Sequence, residues 1–327
     1  MPPLFKLAEV ESALDVVHAA VPPTPQYAWP QLAERTGAAV FVKHENHTPI
    51  GAFKVRGGLV YVDRLRRERP QVTGIATATR GNHGQSLAFA GGRAGIAVTI
   101  VVPRGNSAEK NAAMQAFGAE LIEFGRDFDE AKEQVAVIAR QRGHDVVPAF
   151  HRNLVIGVAT YAYEFFHAVR DLDTVYVPIG LGSGICGVIG MRDALSLATR
   201  IVGVVAQNAN AYARSFAAGR VIATDAAATF ADGLAVRVPD AEALAVICGG
   251  ADRIVEVTEA EIAEAIRIYF SATHTLAEGA GAAPLAALLK ERERMQGRRI
   301  GLIMSGQNID RAAMQAVLAG HVPGLAG

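Results

Sequence analysis

Two hydrophobic periodicities alternate along the chain. Short runs of β-branched and aliphatic residues at 39–43, 74–78, 98–102, 119–123, 174–177, 201–205 and 299–304 read as strands. Between them lie longer stretches, such as Asp129 to Arg140, whose apolar residues recur every three or four positions and read as amphipathic helices. Thr258-Glu-Ala-Glu261, just ahead of Ile262, has the spacing of a capping box, in which threonine and glutamate each satisfy a backbone N–H at a helix start. The alternation predicts an α/β fold of parallel sheets with helices on both faces, because a parallel connection needs a long crossover and a helix supplies it. No repeat, low-complexity tract or long linker interrupts the pattern.

The candidate chemistry sits where these runs end. Lys54 follows Phe53 and a glycine-bearing turn in the segment Lys43 to Gly57, an apolar setting for a single amine. Desolvation makes an ammonium give up its proton, and the free amine attacks an aldehyde or removes a proton from carbon. Thr79-Arg80-Gly81-Asn82-His83-Gly84-Gln85 lies between a strand-like run and a helix-like one. Such a polar turn offers unpaired N–H groups to an anion such as a carboxylate, and Asn82 adds a neutral amide suited to a ring oxygen. In Gly180-Leu181-Gly182-Ser183-Gly184, the glycines let backbone approach a phosphate at a helix N-terminus. Gly182, Gly184 and Gly187 also spell the dinucleotide pattern, but the strand that follows ends on Gln207, where such a site wants a carboxylate for the ribose. Ser305 ends the run 299–304, at the strand edge where open α/β sheets bind ligands.

Together with Ala231-Asp-Gly-Leu-Ala235 and Glu278-Gly-Ala-Gly281, which stand in the same order, these segments resemble the fold-type II pyridoxal-phosphate enzymes, in the serine/threonine dehydratase and serine racemase branch. The resemblance runs from about residue 20 to about residue 312. It implies a tryptophan synthase β-like fold with two open, twisted, mostly parallel sheets. Residues 1–69 and 149–327 would form a large domain and residues 70–148 a small one, with pyridoxal 5′-phosphate between them. By the same resemblance Lys54 bonds the cofactor, Phe53 packs near its ring, Asn82 contacts the ring hydroxyl and Ser305 faces the pyridine nitrogen. Gly180, Leu181, Gly182, Ser183 and Gly184 would hold the phosphate; Thr79, Arg80, Gly81, Asn82 and His83 would receive the substrate carboxylate. The implied activity is α,β-elimination from a 3-hydroxy amino acid, with L-threonine and L-serine as default substrates, in a homodimer.

Departures from the family pattern bear on this expectation. Ala52 replaces the usual serine before Phe-Lys, Leu181 and Ser183 stand where glycine is common, Gln307 replaces a glycine, and Gly157-Val-Ala-Thr160 replaces Gly-Gln-Gly-Thr. The phosphate loop and Gly157 to Ala162 are similar to the dehydratase associated with hydroxyectoine breakdown, so a specialised hydroxy amino acid is a second expectation. Metal-activated relatives carry carboxylates where this chain has Gln207 and Ala213, so no divalent cation is expected. Racemase relatives carry serine where Arg80 stands; a guanidinium is a poor base, so elimination without racemisation is expected. A nicotinamide oxidoreductase would leave Lys54 and Ser305 without a role, and a non-catalytic cofactor-binding protein would release no ammonia.

Composition changes the picture little. The 327 residues are 50% hydrophobic and 20% charged, with formal net charge zero, which suits a soluble α/β enzyme and gives no footprint for nucleic acid or an anionic membrane. Cys186 and Cys248 are too few for a disulfide framework, and the N-terminal residues lack an export signal, so a cytoplasmic location is expected. The nine histidines include His44, His47, His83 and His274 near the motifs, without spacing that puts two on one face; no metal site is expected. His83 reads as a loop-fixing residue and Glu45 as an ion-pair partner.

Overall fold

The computed structural model describes residues 3–126 and 128–324. Its strands are β1 (Gln26–Ala28), β2 (Ala39–His44), β3 (Gly74–Ala78), β4 (Ala97–Val102), β5 (Glu120–Glu123), β6 (Asp145–Val146), β7 (Thr174–Pro178), β8 (Arg200–Ala206), β9 (Arg253–Val257) and β10 (Arg299–Met304). They form a six-stranded sheet in the order β1-β2-β10-β7-β8-β9 and a four-stranded sheet in the order β5-β4-β3-β6. All neighbours are parallel except β1, which pairs antiparallel with β2 at the sheet edge.

Each run read as a strand from the sequence is one, and the helix expected over Asp129 to Arg140 spans Phe128–Arg142. The capping box forms as well: Thr258 Oγ1 accepts from the Glu261 N–H at 3.2 Å, and Glu261 Oε2 accepts from the Thr258 N–H at 2.7 Å. Three strands went unpredicted. β1 and β6 are too short to show a period, and β9 is half-buried along most of its length at an edge, so its pattern is diluted.

Apolar side chains on the two faces of the larger sheet pack into separate cores. One gathers Val55, Leu59, Val158, Phe165, Ile185 and Ile189 from the helices Lys54–Glu68, Arg152–Ala168 and Ser183–Ala194. The other gathers Ile262, Ile266, Leu285 and Leu288 from the helices Glu259–Thr273 and Gly279–Lys290. Among the described residues, no helix is long and apolar enough to cross a membrane.

A cluster of buried charges fixes the helix that Lys54 opens. Arg56, fully buried, donates from Nε to Glu45 Oε2 at 2.7 Å and from Nη1 to Glu164 Oε1 at 2.6 Å. Lys43 Nζ reaches Glu164 Oε2 at 2.6 Å and the Thr24 carbonyl at 2.8 Å. The expected ion-pair role of Glu45 is thus what the structure shows. The cluster ties β2 to the helices Lys54–Glu68 and Arg152–Ala168 with two cations facing two carboxylates. Burial alone would raise the Glu164 carboxyl, but Arg56 and Lys43 overcome it and hold that group at about 2, below the ordinary 4.5.

Removing one member leaves a buried charge without a partner. Arg56→Ala is expected to destabilise the fold by about 3–5 kcal/mol, read by urea denaturation. Because Glu164 is depressed in the folded state, its stabilising contribution is complete above pH 4.5 and is lost as pH falls towards about 2. An Arg56→Ala protein as stable as the wild type would remove the clamp from this account.

Candidate active site

The C-terminal ends of β2, β10 and β7 lie side by side, so the loops that follow them meet. The loop after β2 leads into Lys54 and the loop after β10 begins with Ser305. These two loops are stitched together: the Phe53 N–H donates to the Ser305 carbonyl at 3.0 Å, and the Gln307 N–H donates to the Gly51 carbonyl at 2.9 Å. Gly281, at the start of its helix, lies so close to this turn that a Cβ there would stand 2.5 Å from the Gly306 carbonyl oxygen. A glycine is therefore required by the close approach.

The loop after β7 brings the glycine segment opposite Lys54. Lys54 Nζ donates to Ser183 Oγ at 3.1 Å and lies 5.1 Å from the centre of the Phe53 ring. Ser183 opens the helix Ser183–Ala194, whose first N–H groups have no intrahelical acceptor. Gly182 has φ +100°, and a Cβ on it would meet Ala243 Cβ at 2.6 Å; a Cβ on Gly180 would overlap the Gly233 carbonyl. Two tyrosines turn loop carbonyls away: Tyr212 donates to the Leu181 oxygen and Tyr161 to the Gly184 oxygen, each at 3.1 Å. What remains facing Lys54 is a set of donors, the arrangement a phosphate needs.

The loop after β3 approaches from the smaller sheet. Asn82 Nδ2 donates to Glu278 Oε1 at 3.0 Å, and Asn82 Oδ1 accepts from Asn308 Nδ2 at 2.7 Å. Thr79 Oγ1 takes the Gly81 N–H at 3.1 Å, so that N–H is already engaged and does not stand free for a carboxylate as the sequence suggested. His83 is buried with Nε2 unpartnered; burial, reinforced by Lys54, pushes it down to about 3, so it is a neutral ring. Arg80 is half-buried, and its carbonyl accepts from Asn106 Nδ2 at 3.2 Å. Its guanidinium has no hydrogen bond or ion pair among the described residues. The sheets are joined at this edge by Lys110 with Asp232, and by Ser107 Oγ donating to Asp310 Oδ1 at 2.6 Å.

Every residue expected at the site from sequence therefore falls in one of four strand-to-helix connections, those after β2, β3, β7 and β10. Sequence reasoning missed Glu278 as a participant, along with Asn308 and the Lys110–Asp232 pair. The Glu-Gly-Ala-Gly motif pointed to the first, but nothing in its spacing tells that the carboxyl reaches Asn82.

Electrostatics distinguishes Lys54 from an ordinary lysine. Burial lowers its amine from 10.5 to about 8, with Glu278 opposing only in part. Glu278 is itself raised by burial, against the pull of Asn82 and Lys110. The glycine cradle, the readily deprotonated amine beside it, and a Ser305 hydroxyl that is 3% exposed without a hydrogen bond to the described residues fit pyridoxal 5′-phosphate. With Lys54 titrating at about 8, cofactor uptake by the cofactor-free protein is expected to accelerate with pH and level off above about 8, followed by visible absorbance. Uptake still accelerating near pH ~10 would mean an ordinary lysine.

Comparison with known proteins agrees with this geometry. A family profile described as pyridoxal-phosphate dependent enzyme matches residues 17–306. The chain is 34% identical over 287 residues to an L-threonine ammonia-lyase of Geobacter sulfurreducens, covering 88% of this chain and 71% of that protein. It is 34% identical over 280 residues to a beta-hydroxyaspartate dehydratase of Paracoccus denitrificans, covering 85% and 88%. It is 30% identical over 298 residues to an L-threo-3-hydroxyaspartate ammonia-lyase of a Pseudomonas species, covering 91% and 93%. Among solved structures, the processed form of threonine deaminase isoform 2 from Solanum lycopersicum superposes with a TM-score of 0.88 at 27% identity, covering 98% of this chain and 95% of that one. The converging loops and these likenesses lead to one conclusion: the chain belongs to the fold-type II pyridoxal-phosphate-dependent enzymes, as an ammonia-lyase of the serine/threonine dehydratase family.

Proposed function

We propose that this enzyme removes water and then ammonia from a 3-hydroxy amino acid of the L-threonine or L-serine type, yielding a 2-oxo acid. The observation that carries the reading is Lys54 Nζ, lowered to about 8 and 3.1 Å from Ser183 at the glycine cradle. Bound pyridoxal 5′-phosphate supplies an electron sink. The N–H groups from Gly180 to Gly184 would hold its phosphate, Asn82 would serve its ring oxygen and Ser305 its ring nitrogen. The loop Thr79 to His83 orients the substrate carboxylate through its uncommitted N–H groups. Lys54 takes the Cα proton, the Cβ–oxygen bond breaks, and hydroxide leaves with a proton as water; the resulting enamine hydrolyses to the 2-oxo acid and ammonia.

Relatives named for threonine and for 3-hydroxyaspartate support the reaction class and leave the side chain at Cβ open. The spelling of Gly180 to Gly187 and of Gly157 to Ala162 supports a second reading, a hydroxy amino acid specialised to hydroxyectoine breakdown.

Two outcomes test the proposal. Lys54→Ala is expected to abolish 2-oxo acid release across a panel of 3-hydroxy amino acids, and borohydride reduction of the wild type to fix the cofactor on residue 54; labelling of another lysine would sink the assignment. Because Arg80 stands in the sequence where racemase relatives carry serine, L-serine in D₂O is expected to give pyruvate with little D-serine. Comparable rates of the two products would require a second base elsewhere in the site.

A further inference from the structure

Arg80 is a cation without a counter-ion at a site whose other charges are committed. Lys110 is paired with Asp232, and its stem lies against the same loop, 3.2 Å from where a Gly81 Cβ would stand. Asp310 accepts from Ser107, and Glu278 accepts from Asn82 and from the Asn308 N–H at 3.2 Å. Lys54 is held to Ser183. Arg80 alone among these groups has no partner among the described residues, although the peptide that follows it is pinned at both its carbonyl and its N–H. Asn106 Nδ2 holds its carbonyl at 3.2 Å and is itself held by Asn111 Oδ1 at 2.6 Å, and Thr79 Oγ1 takes the N–H of Gly81. No carboxylate among the described residues engages the guanidinium.

A pinned backbone with an uncommitted, half-buried guanidinium is an arrangement prepared for an anion that arrives from outside the chain. The α-carboxylate would be received by the uncommitted N–H groups of the loop and of the helix start at Asn82. We propose that Arg80 is a specificity-determining residue that binds a second carboxylate, on Cβ of the substrate. The preferred substrate class is then a dicarboxylic 3-hydroxy amino acid, of which 3-hydroxyaspartate is the smallest member; its elimination gives oxaloacetate and ammonia. The proposal rests on the elimination reading and narrows its substrate.

The test compares ligands that differ in charge and little in shape. L-Aspartate and L-asparagine lack the leaving hydroxyl, so their binding to the holoenzyme, followed by the visible absorbance, reports recognition without turnover. Wild-type holoenzyme is expected to bind L-aspartate about 10-fold more tightly than L-asparagine, with the preference lost in Arg80→Gln and partly kept in Arg80→Lys. In turnover, Arg80→Gln is expected to lower the ratio of kcat/KM for L-threo-3-hydroxyaspartate over that for L-threonine by about 30-fold. Equal binding of aspartate and asparagine by the wild type overturns the proposal without any variant. An equal fall of both substrates in Arg80→Gln also overturns it, since Arg80 would then serve the α-carboxylate. If no hydroxy amino acid yields a 2-oxo acid, the elimination reading fails, while the aspartate-to-asparagine ratio still decides what Arg80 recognises.

Discussion

The site depends on withholding a counter-ion from one buried lysine while granting it to another a few residues earlier. Lys43 and Lys54 come from the same segment, and burial lowers both amines. Lys43 lies 2.6 Å from Glu164 and is locked into an ion pair, so its charge is spent on structure. Among the described residues, the hydrogen-bond partner of the Lys54 amine is a serine hydroxyl and no carboxylate. A desolvated amine without a carboxylate on it gives up its proton near neutral pH, and this is what a carbonyl-capturing, proton-abstracting lysine requires. The two residues show that burial alone does not make a reactive lysine; the nature of the nearest oxygen decides.

That difference is held in place by the buried charges around Arg56. The guanidinium stands two residues beyond Lys54 and is fixed to Glu45 and Glu164. Buried ion pairs are weak evidence for net stability, because desolvation offsets much of the attraction. Their effect here is geometric: β2 and two helices are bound to one another just behind the lysine, so the amine emerges at a fixed place relative to the glycine cradle. The parallel sheet does the rest by putting the ends of β2, β10 and β7 at one edge.

Much of this was legible in the sequence, and for a common reason. The glycine loop, the Thr79–His83 turn and Ser305 each follow directly on a strand end, and Lys54 opens the helix after β2; at each place a change of hydrophobic period marks the boundary and a local motif points to the chemistry. The partners were not legible. Glu278 and Asn82, or Arg56 and Glu164, are far apart in sequence, and each pair meets only because the crossovers fold it together. Spacing could propose that Glu45 pairs with a cation; it could not say that the cation is Arg56. Arg80 shows the same limit in reverse, since spacing could not say whether its guanidinium finds a partner, and among the described residues it finds none.

Glu278 is the carboxyl whose charge bears on Lys54. A carboxylate near Lys54 would ordinarily draw the amine back towards its charged form, and Glu278 acts in that direction. The same burial that lowers the amine raises the carboxyl, so the proton distribution of both groups shifts towards the neutral forms. Asn82 and the Asn308 N–H pull Glu278 the other way by hydrogen-bonding it. The amide of Asn82 therefore moderates a carboxyl that burial and Asp232 raise, acting together with Lys110 and the Asn308 N–H. Replacing that amide would change the proton affinity of Glu278 and, through it, that of Lys54.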